Sequence, residues 1–325
     1  MDNLTHSLTG LMMSRVGLGR TTERGGTLMM ILAANTPDID VLAAGFPGSL
    51  RYIEVHRGYT HSLLMAPVMA LLPLLLARWI SKASINWWSY LACLLGVLSH
   101  LALDLTNVYG IRLLLPFSSR WPRLDITDIV DPWILLIFIL AMAAPALAKL
   151  VSSEIGASKT TRTREAWAWF AIVALLSYEG FRLAAHQRAL AVMGAHLYGG
   201  VITPRITATP DRINPLRWRG IVETEDFVLT VNLLLTEDYN PAFGHVDYPT
   251  QSSAAIDAAR ATEPFRVFEK FNQLPFWRVS AAGDNILVEL IDLRFGTPRQ
   301  PGLFTATATL TPDDRVLESR FGFLR

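Results

Sequence analysis

A single cysteine, Cys93, stands in 325 residues, so no intrachain disulfide can form and cysteine usage gives no compartment. Net charge is also small, formally +1, which removes the broad basic field expected of a nucleic-acid binder. Charged residues make up only 18% of the chain against 51% hydrophobic, and mean hydropathy is +0.31, on the membrane side of the soluble norm. There is no pair of CxxC motifs, no Walker loop, no GxSxG elbow and no HExxH. The commonest nucleotide-binding and hydrolase signatures are thereby excluded. The first residues do not read as a signal peptide, since no basic residue precedes Arg15, Asp2 stands near the start and His6 interrupts the first apolar stretch. Internal repeats and long low-complexity tracts are absent.

The chain does have long apolar runs. Residues 62–80, 87–106 and 131–151 are each long enough to cross a bilayer, which takes about 20 residues. A fourth run, 165–185, carries Glu179 and Arg182, three residues apart and expected to pair. Trp79, Trp87, Trp88, Trp133, Trp167 and Trp169 stand at the ends of these runs, where interfacial aromatics belong. Residues 4–18 and 26–35 are apolar but shorter than a span, and the Gly/Arg-rich stretch 17–26 between them predicts a hairpin of two short helices. The expected fold is mostly α: a membrane-embedded helical bundle over residues 1–190. After a linker marked by Pro204, Pro210 and Pro215, residues 200–325 read as a small extramembrane α+β domain. There the alternation of Phe227, Leu229, Val231, Leu233 and Leu235, of Ile286, Val288 and Leu290, and of Phe304, Ala306, Ala308 and Leu310 predicts half-buried strands of an antiparallel sheet. Residues 252–271 predict a helix.

Ionisable residues interrupt the apolar half in four places: His6, Asp38 with Asp40, His56 with His61, and His100 with Asp104. Burying such groups costs several kcal/mol per ion, about, unless a partner or metal compensates. Imidazole and carboxylate are the ligands that divalent metals prefer. An up-and-down bundle with short connections places every one of these residues at one end. His100 and Asp104, four apart, share a helix face; Pro37 sets Asp38 and Asp40 on a helix break; Gly58 suggests a turn that aims both His56 and His61 inward. Arg57 suits a phosphate or carboxylate oxygen. Asp131, before Pro132, reads as a helix N-cap. His186, His196 and His245 lie outside the cluster and read as structural or surface residues. The opposite end collects Arg15, Arg20, Arg24, Arg78, Lys82, Lys149, Lys159, Arg162 and Arg164. The positive-inside rule then predicts a periplasmic site and a periplasmic C-terminal domain.

His6, Pro37-Asp38-Ile39-Asp40, His56-Arg57-Gly58-Tyr59-Thr60-His61-Ser62, Ser99-His100 with Asp104, and Gly110-Ile111-Arg112-Leu113-Leu114-Leu115-Pro116 together resemble the YdjM-like family. The resemblance covers roughly residues 1–135, and 56–62 is its most specific part. Family members are described as inner-membrane metal-dependent hydrolases and as LexA-binding, and the family is distantly similar to the zinc-dependent phospholipase C and P1 nuclease group. This implies zinc, as one or two ions, held by His61, His100, Asp104 and one of Asp38 or Asp40, with His6 and His56 as further ligands. The absence of later His/Glu ligands argues against three ions. It also implies hydrolysis of a phosphoester or lipid-like substrate by metal-activated water, with Asp38 or Asp40 steering the proton and Arg57 stabilising developing charge. Two other readings remain open. One is a non-catalytic membrane regulator with a structural metal, binding a protein partner through residues 200–325. The other is an ion transporter, disfavoured because the cluster lies at one end of the helices rather than at mid-membrane.

Overall fold

The computed structural model describes residues 1–46, 48–154, 162–200 and 205–322, and the side chains among them except at 148, 149, 151–154 and 162. Lys159, the side chains of Lys149 and Arg162, and Pro204 of the expected linker lie outside the described residues. The helices are α1 (Asn3–Arg15), α2 (Gly26–Asn35), α3 (Val41–Ala44), α4 (Leu50–Val55), α5 (Ala66–Met69), α6 (Leu71–Ser81), α7 (Trp87–Thr106), α8 (Pro132–Glu154), α9 (Arg162–Gly194), α10 (Ala254–Arg260) and α11 (Glu263–Phe271). The chain folds into two compact units that interleave in sequence. The first comprises Met1–Asp40, Arg57–His186 and Pro210–Pro215; the second comprises Val41–His56, Gln187–Thr209 and Leu216–Arg325.

The first unit is helical. Asp2 caps α1 by accepting from the amides of Leu4 and Thr5, and Asn86 caps α7 in a reciprocal box with Ser89. α1 and α2 form the expected hairpin, packed closely enough that a Cβ on Gly10 would stand 2.5 Å from the Met30 carbonyl oxygen. A Cβ on Gly96 of α7 would stand 2.7 Å from Ala33 Cβ, so α7 approaches α2 just as closely. Small residues at both crossings are the usual device of helix packing in membranes. One core joins Met29, Met30 and Ala33 of α2 to Leu74 and Ala77 of α6 and to Cys93, Val97 and Leu101 of α7. A second joins Met12 and Leu103 to Ile134 and Phe138 of α8 and to Ala168, Ala171 and Leu175 of α9.

The loop after α7 is tied back to that helix: Leu124 N–H donates to the Leu105 carbonyl and Ile126 N–H to Thr106, both at 2.9 Å. Arg182 of α9 donates to the carbonyls of Ile126 and Pro215, and Asp131 caps α8 as its spacing implied, accepting from the amides of Trp133 and Ile134. At the far end, Arg20 in the α1–α2 turn pairs with Glu165 of α9 at 2.5 Å. Both Glu179 carboxylate oxygens, by contrast, are buried with no hydrogen-bond partner among the described residues.

Among the described residues, three helical stretches are long and apolar enough to cross a membrane: Gly26–Ala44, Trp87–Thr106 and Thr163–Gly194. The second is as expected and the third exceeds its expected bounds. The first corrects the sequence reading. The helix does not stop at Pro37 but passes through a 3-10 turn, Thr36–Asp40, into α3, because a 3-10 segment tolerates the missing amide. The expected 62–80 span is broken into α5 and α6, and the expected 131–151 run lies on α8. Large apolar side chains such as Leu75, Trp79, Ile139, Phe170 and Leu176 are exposed along these helices, a surface suited to lipid rather than water.

Among the described residues, the second unit holds two four-stranded sheets where one was expected. The first is ordered β1 (Arg205–Pro210), β2 (Arg217–Glu223), β3 (Val228–Leu234), β4 (His245–Asp247); the second β5 (Pro275–Ala282), β6 (Asn285–Asp292), β7 (Thr305–Leu310), β8 (Val316–Phe321). The pairings β2–β3, β3–β4, β5–β6, β6–β7 and β7–β8 are antiparallel. The alternating runs fall on β3, β6 and β7, and Ile221 and Val228 join Phe276, Ile291 and Leu293 in one core. The expected 252–271 helix is two, α10 and α11, because the chain turns extended at Thr262, whose hydroxyl donates to the Ala259 carbonyl, and a new helix starts with Pro264 in its first turn. Buried Phe265, Phe268 and Phe271 of α11 are its apolar face.

Candidate metal centre

The helix ends of the first unit bring Asp38, His61, His100 and Asp104 together, one ligand atom from each lying within 4.8 Å of all the others. His61 Nε2 is 3.1 Å from His100 Nε2, 3.4 Å from Asp38 Oδ1 and 3.4 Å from Asp104 Oδ2. His100 Nε2 is 3.6 Å from Asp38 Oδ1 and 3.4 Å from Asp104 Oδ2. A tetrahedral zinc ion with bonds of about 2.0 Å separates neighbouring donors by about 3.3 Å. These spacings match that edge length.

The outer nitrogens show why both Nε2 atoms face inward. His100 Nδ1 stands 2.7 Å from the Ala34 carbonyl at the end of α2, so it carries the proton and Nε2 keeps its lone pair. His61 Nδ1 lies 3.0 Å from Thr60 Oγ1 and 3.4 Å from Asp40 Oδ2. A carboxylate or carbonyl behind a ligating imidazole is the usual support of a metal site. Two imidazole lone pairs and two carboxylates pointed at one another repel unless a cation lies between them. Asp104 Oδ2 is buried with no hydrogen-bond partner among the described residues, as expected of an oxygen reserved for an ion. His61, His100 and Asp104 are fully buried, and only Asp38 reaches partway to the surface. The donor set and its enclosure fit a divalent metal.

Asp40, Arg57 and His6 surround the four. Asp40 Oδ2 accepts from the Arg57 amide at 3.0 Å and from Thr60 Oγ1 at 2.7 Å, which directs it toward His61 Nδ1. The Arg57 guanidinium is buried, donates to Asp104 Oδ1 at 2.9 Å, to Asn107 Oδ1 at 3.1 Å and to the Gly110 carbonyl at 3.4 Å, and lies over the Tyr109 ring. Its φ is +59°, a conformation that costs a non-glycine residue about 1–3 kcal/mol and is typical of functional sites. His6 stacks on His100 with ring centroids 3.7 Å apart, and its Nε2 is 3.4 Å from Asp104 Oδ1. α1 is too short to span the bilayer. Burial, aided by the like charges of His100 and the N-terminal amine, pushes the His6 imidazole down to about 3. The Met1 amine itself donates to Asp104 Oδ1.

His56 lies in the second unit, buried at the C-terminal end of α4 with its ring 4.5 Å from that of Tyr52. Asp125 pairs with Arg123, and Asp128 with Arg212. His196 packs on Tyr239, and His245 is exposed on β4. Sequence reasoning missed Thr60, Asn107 and the Met1 amine. The first two stand inside or just after quoted motifs, where a neutral polar residue has an ordinary capping explanation; nothing signals the third.

A family model described as YdjM inner membrane protein matches residues 1–189. The uncharacterized protein YfhP of Bacillus subtilis (strain 168) is 24% identical over 309 residues, covering 91% of this chain and 87% of the relative. The inner membrane protein YbcI of Escherichia coli (strain K12) is 37% identical over 93 residues, 28% of this chain and 53% of the relative. No solved structure matches the chain.

Proposed function

The chain belongs to the YdjM inner membrane protein family, and from that membership we propose that it is a membrane-bound metal-dependent hydrolase acting on a phosphoester or lipid-like substrate. The observation that carries this reading is the convergence of Asp38, His61, His100 and Asp104 within a bilayer protein. A divalent ion such as zinc, held by His61, His100 and Asp104, would supply Lewis acidity and would lower the pKa of water toward about 7. Asp38, the one of the four that reaches partway to the surface, would complete the site or accept the proton that water loses. Asp40 fixes the tautomer and direction of His61. Arg57 holds Asp104 in place and adds a permanent positive charge that favours an anionic substrate. His6 adds a neutral nitrogen beside Asp104 and serves as a further ligand. The site faces the periplasm, because the end holding Arg15, Arg20, Arg24, Arg78, Lys82 and Arg164 is the richer in basic residues.

A second reading has one observation in its favour: three of the four ligands are fully buried. A closed metal site is structural. The protein would then be a regulator, with the LexA-binding role implied by the resemblance and with residues 200–325 as the partner-binding part. Metal analysis of detergent-purified protein, combined with a screen of phosphodiesters, phosphomonoesters and phospholipids with and without chelator, separates the two. Hydrolysis requires stoichiometric metal, chelator-sensitive turnover, and loss of both in His100→Ala and Asp104→Ala. Stoichiometric metal with no turnover of any substrate rejects the hydrolase in favour of the regulator.

A further inference from the structure

Helix lengths set the depth of the metal centre. α7 holds 20 residues, about 30 Å at 1.5 Å per residue, the thickness of one hydrocarbon core. Exposed Trp87 and Trp88 mark its first turn as the interface opposite the centre. Thr106, its last residue, then stands at the near boundary, and His100 lies about 9 Å below it. Two other elements agree. Ala66–Ser81, which holds α5 and α6, rises at most about 24 Å from the opposite side, and α1 rises about 20 Å from Arg15 to Asn3. Both stop short of the near boundary, and their ends adjoin His61 and His6.

The protein surface at this depth is apolar. Asp38 accepts from the Asn3 side-chain amide at 3.1 Å, which sets exposed Leu4 beside it, and exposed Ile39 follows it in the chain. Thr60 donates to Asp40 at 2.7 Å, which brings Tyr59, 61% exposed, to the same rim. Beyond His61, two loops join into a lip: the Leu63 amide donates to the Leu113 carbonyl at 3.0 Å and the Arg112 amide to the Arg57 carbonyl at 3.1 Å. Leu63, Leu64 and Leu114 are about half exposed on it. Phe117, in a tight turn closed by the Leu114 carbonyl, is 84% exposed. The same face runs on through Leu64, Val68, Leu71, Leu75 and Trp79, all exposed and three or four residues apart.

We propose that this rim and lip are sunk in the lipid leaflet on the site side, so that the metal centre opens into the bilayer rather than into water. The lip is continuous with the lipid-facing side of α6, and so large an apolar surface is not left in water. Exposed Arg120 follows Phe117 by about 10 Å of chain, enough to reach the phosphate layer while Phe117 stays below it. That depth is the usual one of interfacial anchors, about 5–10 Å. Burying Phe117 alone favours lipid by more than about tenfold. The seating holds for a structural metal and a hydrolytic one alike. On the hydrolase reading, and only there, it restricts substrates to amphiphiles that enter from the side.

Fluorescence quenching tests the depth without turnover. In a Cys93→Ala background, Leu4→Cys, Leu64→Cys and Phe117→Cys each receive an environment-sensitive dye, and Asp284→Cys, in the exposed β5–β6 turn, serves as the aqueous reference. Each labelled full-length protein is placed at one copy per nanodisc. Emission is quenched either by a phospholipid with a nitroxide near the head of its acyl chain or by aqueous iodide. The ratio of lipid to iodide quenching should exceed one at Leu4, Leu64 and Phe117 and fall below one at Asp284. Metal content equal to that of wild type certifies the fold. Iodide quenching that matches or exceeds lipid quenching at any of the three sites overturns the proposal. Protection from both quenchers also overturns it, since a protein surface then covers the lip. Chelator-sensitive turnover with labels bathed in water rejects the seating alone; an inert centre with lipid-quenched labels rejects the hydrolase alone.

Discussion

His100 and Asp40 differ in what they do for the centre, and the difference is measurable. His100→Ala removes a donor and should abolish stoichiometric metal binding. Asp40→Asn keeps the shape behind His61 but removes the charge, and should weaken metal affinity about 10–100-fold, the usual effect of altering such a support. Competition with a chelating dye reads both; equal losses in the two variants would make Asp40 a ligand in its own right. Arg57→Lys is not conservative here, because an ammonium cannot bridge Asp104 and Asn107 as the guanidinium fork does. It should lower metal affinity measurably, although residue 57 touches no ion. His and Asp could be picked out from the sequence because such groups are too costly to bury without purpose. Thr60 and Asn107 could not, because neutral polar residues at helix ends are cheap and common.

At the level of the helices, the centre depends on how closely α7 lies against α2. Gly96→Val places a branched side chain where a single Cβ already meets Ala33 at 2.7 Å. Overpacking of this kind costs about 1–3 kcal/mol. Because the same helix carries His100 and Asp104, the variant should lose both thermal stability and metal, read by a thermal-shift assay and elemental analysis. Asn86→Ala removes the cap of α7 at the opposite end and should cost about 0.5–2 kcal/mol. Its metal content should be unchanged, since the damage is far from the ligands. Periodicity and length revealed α7, the α1–α2 hairpin and the strands β3, β6 and β7. They misjudged several boundaries, two of them at a proline. Pro37 reads as a stop, yet a 3-10 turn carries the helix past it; Pro264 is hidden inside an apolar pattern, yet begins a new helix.

For the whole molecule, the proposed orientation in the membrane can be checked by labelling. Arg120 is exposed in the loop beside the centre, and Asp284 is exposed in the β5–β6 turn. With the buried Cys93 replaced by alanine, Arg120→Cys and Asp284→Cys should both react with a membrane-impermeant maleimide in intact spheroplasts, whereas Arg24→Cys should not. Labelling of the last alone would invert the proposed orientation. Composition pointed to a membrane portion followed by a strand-rich portion. It could not show that Val41–His56 belongs with the second unit and Pro210–Pro215 with the first, because compactness is set by long-range packing that leaves no periodic trace.

Pro37 has a further role that follows from the chemistry of its ring. In a 3-10 turn the amide of residue 37 would bond the carbonyl of residue 34, and proline has no amide to offer. The Ala34 oxygen is left for the imidazole of His100. Side-chain substitution at position 34 cannot remove that acceptor, since it belongs to the main chain. Which nitrogen of His100 is bare is therefore decided by a main-chain oxygen and by a neighbouring ring that has no amide to compete for it.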